Sequence, residues 1–135
     1  MNLRTARLEE MVDVYRRVLG LVPGPRPPFA FPGAWLYAGD AETDRPSENT
    51  PAAIHLIGIA GAPSDGTQQP GLRLEHFALA SRGLKPFLAR LEREGVAVRL
   101  ARVPGGGPIQ ANLLDPDGNH LHVDFPPEEA EGLEV

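Results

Sequence analysis

The chain has no cysteine. Without it there is no disulfide framework, no thiolate nucleophile and no thiolate-held zinc or iron–sulfur site, so any metal must be held by His, carboxylate or amide groups. Basic residues are also in short supply: 13 Lys+Arg face 18 Asp+Glu, a formal net charge of -5. That balance offers no electrostatic footprint for phosphate backbones or anionic lipid, and neither nucleic acid nor a membrane is expected as a partner. Long apolar runs are missing too. The longest stretch, Ala52 to Ala62, is interrupted by His55 and two glycines, and the opening Met1 to Arg7 lacks the apolar core of a signal peptide. A soluble cytoplasmic protein is the expectation.

What remains is an ordinary globular composition, 41% hydrophobic and 23% charged over 135 residues, enough for one domain or for two half-size modules sharing a core. The 15 glycines and 15 prolines concentrate between periodic segments, above all in Val22 to Gly33 and Gly58 to Gly71, which reads these as loops. Gly39 to Pro51, rich in Asp, Glu, Ser and Thr, reads as a surface connection. Pro126 to Val135 reads as a solvated acidic end.

Two segments carry helical spacing. Leu8, Met11, Val12, Tyr15, Val18 and Leu19 recur every three or four residues, with Thr5 placed to cap the start and Gly20 the end. Leu84, Phe87, Leu88 and Leu91 repeat the pattern, with Ser81 as cap, Pro86 in the first turn and Gly95 at the stop. Strand-like runs surround them: Trp35 to Ala38, Ala53 to Ile57, Leu74 to Ala80, Val96 to Val103, Ile109 to Leu114 and His120 to Phe125. Asp115-Pro116-Asp117-Gly118-Asn119 joins the last two as a hairpin.

Short strand, helix, then about three strands: the order occurs twice. Aligning the helices sets Trp35 to Asp40 beside Gln110 to Asp115 and Ala53 to Ile57 beside His120 to Asp124, which superposes His55 on His122. It also sets Asn2 to Thr5 beside Ala78 to Ser81, so the counterpart of His76 falls one position before Met1. Neither half encloses a core alone. The expected fold class is therefore α+β, two βαβββ modules forming an open, cup-like curved sheet with helices outside. The expected divisions are a first module at 1–58 with its first strand shortened, a linker at 59–71, a second module at 72–126 and the acidic tail at 127–135.

Strand alternation then sorts the faces. Leu121, Val123 and Phe125 take the helix side, leaving His120, His122 and Asp124 on the other; Ile54 and Leu56 likewise leave His55 with Ala53 and Ile57. His76 shares its face with Leu74, Ala78 and Ala80. Three histidines from three strands, His55, His76 and His122, thus converge in the expected cup. A lone strand histidine is more often a buried residue satisfied by a hydrogen bond than a ligand. The superposition of two of them under a repeat drawn from helices and turns raises the metal reading, since imidazole suits Zn, Fe, Ni, Co or Mn. His120, one strand step away, reads as an outer neighbour. Trp35 and Tyr37 superpose on Gln110 and Asn112, suggesting an aromatic wall and an amide wall around a pocket, with ordinary sheet packing as the plainer alternative. Arg4 could hold an anionic group of a substrate, although a solvated arginine is the commoner case. Gly105-Gly106-Gly107 precedes a strand and not a helix, which rules out phosphate-loop and dinucleotide readings.

Taken in order, Asn2 to Thr5 leading into Tyr15-Arg16-Arg17-Val18-Leu19-Gly20-Leu21, then Ala53-Ile54-His55-Leu56, Glu75-His76-Phe77-Ala78-Leu79, and Asp115 to Asn119 before His120-Leu121-His122-Val123, the chain resembles the vicinal oxygen chelate superfamily. Glyoxalase I, fosfomycin-resistance thiol transferases, bleomycin-resistance proteins and extradiol dioxygenases belong to it. The resemblance covers nearly the whole chain and implies paired βαβββ modules, a divalent metal ion in the cup and a homodimer. It places His55, His76 and His122 at three of the four ligand positions. The fourth falls before Met1, and His122 stands where the superfamily usually offers glutamate, so no well-known reaction fits without a substitution. The implied activity is that of a metal-dependent lyase, isomerase or dioxygenase acting on a small substrate chelated through neighbouring oxygens. The alternative is a metal-free small-molecule binder of the bleomycin-resistance kind.

Overall fold

A computed structural model of the chain describes residues 1–40, 43, 45–47, 50–60 and 76–135, the side chain of Asp40 excepted. Most of the expected linker, the first two residues of the expected Leu74 to Ala80 run and parts of the expected surface connection after Gly39 lie outside them. The chain divides into two compact units, Met1–Thr67 and Gln68–Val135.

In the first unit β1 (Asn2–Thr5) leads into α1 (Leu8–Leu19), followed by β2 (Leu21–Pro23), β3 (Gly33–Asp40), the two-residue β4 (Arg45–Pro46) and β5 (Ile54–Gly58). The sheet order is β1-β5-β3-β2, with β4 pairing β3, β1 parallel to β5 and the other pairs antiparallel. In the second unit β6 (His76–Ala80), α2 (Leu84–Arg93), β7 (Arg99–Arg102), β8 (Ile109–Leu114) and β9 (His120–Phe125) follow the same plan, in the order β6-β9-β8-β7 with β6 parallel to β9. Both units are thus βαβββ modules with open, mixed sheets, an α+β fold. Among the described residues no helix is long and apolar enough to cross a membrane.

Each helix buries its apolar stripe on one face of its own sheet. Met11, Tyr15 and Val18 of α1 join Leu3, Leu21, Leu36, Ile54 and Leu56; Leu84, Phe87 and Leu91 of α2 join Phe77, Ile109, Leu113, Leu121, Val123 and Phe125, all buried. The rings of Phe87 and Phe125 lie 5.2 Å apart. Burying a side chain of this size contributes about 1.5–3 kcal/mol, and this face is where each module gains its stability.

The local signals behave unevenly. Gly20 ends α1 at φ 69, a left-handed conformation that glycine adopts without Cβ strain, and its N–H reaches Arg16 O and Tyr15 O. Thr5, however, does not cap the helix: α1 starts after Arg7 with no side-chain cap, and the Thr5 hydroxyl, two residues before the cap position, accepts the Arg7 N–H at 2.9 Å. Ser81 does not cap α2 either. Gly83 occupies that position, and the N–H groups of Gly83 and Leu84 both donate, at 2.8 Å, to Oε2 of Glu129. The C-terminal segment is therefore not a solvated end; Pro127–Ala130 forms a 3-10 turn, Ala130 is buried, and Glu129 supplies the helix cap.

The start of β7 differs from expectation, and two short strands stand where none was expected. β7 begins at Arg99 and not at Val96, because the Val96 N–H closes the end of α2 on Leu91 O at 2.9 Å. β2 follows directly on the Gly20 helix end, and its Val22 and Pro23 fall in the expected Val22 to Gly33 loop. Arg45–Pro46 adds a short pairing to β3 inside the expected surface connection. The hairpin between β8 and β9 forms as expected. Asp115 organises it, its carboxylate accepting the N–H of Asp117 (3.0 Å), the N–H of Asn119 (2.8 Å) and the Asn119 side-chain amide (2.8 Å), with Gly118 at φ 80.

Candidate functional site

On the second sheet the face away from α2 is polar. Register sets His76 beside His120 and Ala78 beside His122 on β6 and β9, and Asn112 beside His122 and Gln110 beside Asp124 on β8 and β9, so these side chains share one face. Arg99 of β7 adjoins Asn112 in the same row. The three imidazoles cluster: ring centres are 5.0 Å apart for His76 and His122, 5.2 Å for His76 and His120, and 6.4 Å for His120 and His122. His122 is buried, whereas His76 is exposed.

Hydrogen bonds order this face. Nδ1 of His122 lies 2.7 Å from Oδ1 of Asp124, which is partly exposed. Nε2 of His120 lies 3.0 Å from Oδ1 of Asn112, whose amide nitrogen donates to Arg99 O (3.2 Å) and Gln110 O (3.3 Å). Nε2 of Gln110 sits 3.5 Å from His122 Nδ1, at the limit of a hydrogen bond. Asp124 also lines a cleft of about 550 Å³ bounded by Ser81, Arg82, Gly106, Gly107 and Pro126 among others, so the triple-glycine turn forms a rim of this cleft.

The corresponding face of the first sheet is built differently. Asn2 and Trp35 flank His55 in register, and the His55 and Trp35 rings stack at 4.1 Å with an interplanar angle of 6°. Tyr37 shares the face, but its hydroxyl donates to Pro25 O at 2.6 Å and its ring packs against Gly24, where a Cβ would come within 2.7 Å. Arg4 is exposed.

The structure corrects one superposition. Asn2 pairs with His55 as Ala78 pairs with His122, in agreement with the expected repeat, and the counterpart of His76 falls before Met1. Trp35, however, opposes His55, and it is Asn112 that opposes His122. Trp35 therefore corresponds to Asn112 and not to Gln110, whose counterpart is Gly33; the helix-based alignment slips by two residues on this strand. A two-residue slip preserves the face, which is why the sorting of side chains survived. Gly33 has no room for a side chain, since a Cβ there would meet Leu56 O at 2.5 Å.

The expected site residues thus fall into two sets: His76, His120, His122, Gln110 and Asn112 on one face of the second unit, and His55, Trp35, Tyr37 and Arg4 in the first. Among the described residues no group of three or more His, Asp or Glu side chains is arranged to hold a metal ion. Asp124 was assigned to the right face by alternation but given no part in the site. The signal was available: on a strand, residues two apart are neighbours, and a carboxylate two residues from a histidine reaches its ring.

No protein-family model and no curated protein matches the chain by sequence. Solved structures do match by fold. A glyoxylase/bleomycin resistance protein/dioxygenase domain from Frankia sp. EAN1pec superposes with a TM-score of 0.68 at 17% identity, covering 93% of this chain and 87% of that one. The fold is that of the vicinal oxygen chelate superfamily. A lactoylglutathione lyase from Agrobacterium tumefaciens (TM-score 0.61, 18% identity, 95% and 92% covered) shares this vicinal oxygen chelate fold, as does an antibiotic-binding protein from Streptomyces sp. CB03234 (0.60, 24%, 93% and 92%). The fold therefore houses both a lyase and an antibiotic-binding protein, and by itself it sets no function.

Proposed function

We propose that the chain is a divalent-metal-dependent enzyme of the glyoxalase/dioxygenase type, acting as a homodimer on a small molecule chelated through oxygen atoms. His76 and His122 of the second unit, with His55 carried by the first, are its proposed ligands. The observation that carries this reading is the His122–Asp124 contact. Metal-binding histidines characteristically give their second ring nitrogen to a carboxylate, which fixes the ring and raises its basicity. The donor chemistry fits a Zn, Fe, Mn, Ni or Co ion: imidazole nitrogens backed by a carboxylate, with no thiolate in the chain. Held by His55, His76 and His122, such an ion would supply Lewis acidity toward substrate oxygens. The chain's own groups would bind and orient: Gln110 and Asn112 as amide wall, Trp35 and the Tyr37 ring as apolar wall, Arg4 toward an anionic group, and His120 as an outer neighbour.

Elemental analysis of protein purified without a chelating tag tests this, alongside thermal shifts with each metal. Near one metal per chain is expected, lost in His122→Ala and sharply reduced in His76→Ala. Stoichiometry unchanged in both variants overturns the assignment.

A second reading, metal-free sequestration of a small molecule, is favoured by the stacked Trp35–His55 pair, a flat aromatic surface suited to a planar ligand. The antibiotic-binding neighbour supports it. Absence of metal uptake, with small-molecule stabilisation lost in Trp35→Ala, would establish this reading in place of the first.

A further inference from the structure

We infer that Asp124 and Asn112 are positioning residues that lock the two imidazoles of β9 into opposite tautomers. His122 carries its proton on Nδ1 and offers its lone pair at Nε2; His120 is the reverse. Each assignment follows from what the partner atom is able to do.

A carboxylate only accepts. Oδ1 of Asp124 at 2.7 Å from His122 Nδ1 therefore requires a proton on that nitrogen, since two bare acceptors at this distance would repel. The Gln110 amide nitrogen at 3.5 Å is then a neighbour of Nδ1 and not its donor. In the neutral ring the lone pair is left on Nε2.

For His120 the chain of reasoning is one step longer. Backbone carbonyls also only accept, and the Asn112 side chain faces two of them, Arg99 O and Gln110 O. Its nitrogen must be the atom directed there, because the flipped amide would set oxygen against oxygen. Its oxygen is then the atom 3.0 Å from His120 Nε2, which must carry the proton. Arg99 O thereby sets the ring of His120 through a buried amide. The two histidines lie two residues apart on one strand, yet His122 presents an ε-nitrogen lone pair and His120 a δ-nitrogen lone pair.

The tautomers stand on the second unit alone. Their consequence rests on the metal reading above: with Nε2 of His120 already protonated, His122 is the β9 residue whose ε-nitrogen remains open to a metal, and Asp124 holds it so.

The test is a long-range proton–nitrogen correlation spectrum of metal-free protein, recorded above the imidazole titration range. A pyrrole-like Nδ1 and pyridine-like Nε2 are expected for His122, and the opposite for His120. Asp124→Ala should move the proton of His122 off Nδ1 in a measurable fraction while leaving His120 unchanged; Asn112→Leu should release His120 alone. Should the buried Asn112 variant fail to fold, the partly exposed Asp124 variant still decides. A bare His122 Nδ1 in the wild type, or an unchanged His122 tautomer in Asp124→Ala, overturns the inference. Titration with Zn alone supplies the second readout: Asp124→Ala should weaken affinity about 10- to 100-fold. A wild type that shows both tautomers but takes up no Zn supports the positioning roles and overturns the metal reading instead.

Discussion

Across the β3–β5 ladder the residue facing His55 is Trp35; across the β8–β9 ladder the residue facing His122 is Asn112. The two units share strand order, parity and pairing register at these positions, yet they hold their histidines by different means. In the first unit the imidazole lies flat against an indole at 4.1 Å, a contact that fixes the plane of the ring and leaves its nitrogens unassigned. In the second, Asp124 grips His122 at a nitrogen, fixing the plane and the tautomer together. Stacking orients a ring; a hydrogen bond also decides which atom does the chemistry. The comparison predicts that the β9 histidines of the second unit each hold one tautomer, whereas stacking leaves that of His55 in the first unit unset.

The largest effect should come from breaking the two cores at equivalent positions. Ile54 and Leu121 correspond by register and are each 1% exposed. Ile54→Ala and Leu121→Ala should each cost about 2–5 kcal/mol in denaturant unfolding. Equal losses in one shared transition would mean that the units fold as one. A transition that splits in only one variant would show which unit is self-sufficient.

A smaller effect separates the helices. α1 starts without a side-chain cap, whereas α2 takes the Glu129 carboxylate from across the sequence. Glu129→Ala should cost about 0.5–2 kcal/mol and raise hydrogen exchange at Gly83 and Leu84, with no change at the start of α1. Unaltered exchange at both amides would mean that the cap contributes nothing.

The smallest effect is on the surface of α1, where Arg17 donates to Asp13 at 2.8 and 3.0 Å. The Arg17 hydrogen bond, and after it the charges of Arg17 and Arg16, hold the Asp13 carboxyl below its ordinary value despite slight desolvation. A lowered folded-state value means that the pair helps above the unfolded value and is lost as pH falls through the folded one. Arg17→Ala should return Asp13 to the ordinary carboxylate range in an NMR titration. No resolvable change in Tm is expected, because an exposed pair is screened by water.

Much of this arrangement was legible in the sequence, for identifiable reasons. Parity is local: Leu121, Val123 and Phe125 alternate with His120, His122 and Asp124, so the faces follow from the strand itself. The Asp115 to Asn119 hairpin and Gly20 are equally local, since their chemistry acts within a few residues. The correspondence of Trp35 with Asn112 was not legible, because counting from the helices assumes connections of equal length. From the glycine that follows each helix, Gly20 to Trp35 spans 15 residues and Gly95 to Asn112 spans 17; ladder hydrogen bonds set the register regardless of either. The Glu129 cap was invisible for a related reason. A cap is sought next to its helix, and this one is brought there from 45 and 46 residues away.

The sequence by itself determined the two βαβββ modules, the side of each strand on which the histidines stand, and the exclusion of thiolate chemistry, because alternation, helical spacing and composition are properties of the local chain. Tertiary structure alone decided which residue opposes which histidine, that the Asp124 carboxylate lies at hydrogen-bond distance from His122 Nδ1, and that the acidic C-terminal segment closes a helix. These depend on hydrogen-bond geometry between segments, and distance along the chain carries no information about it.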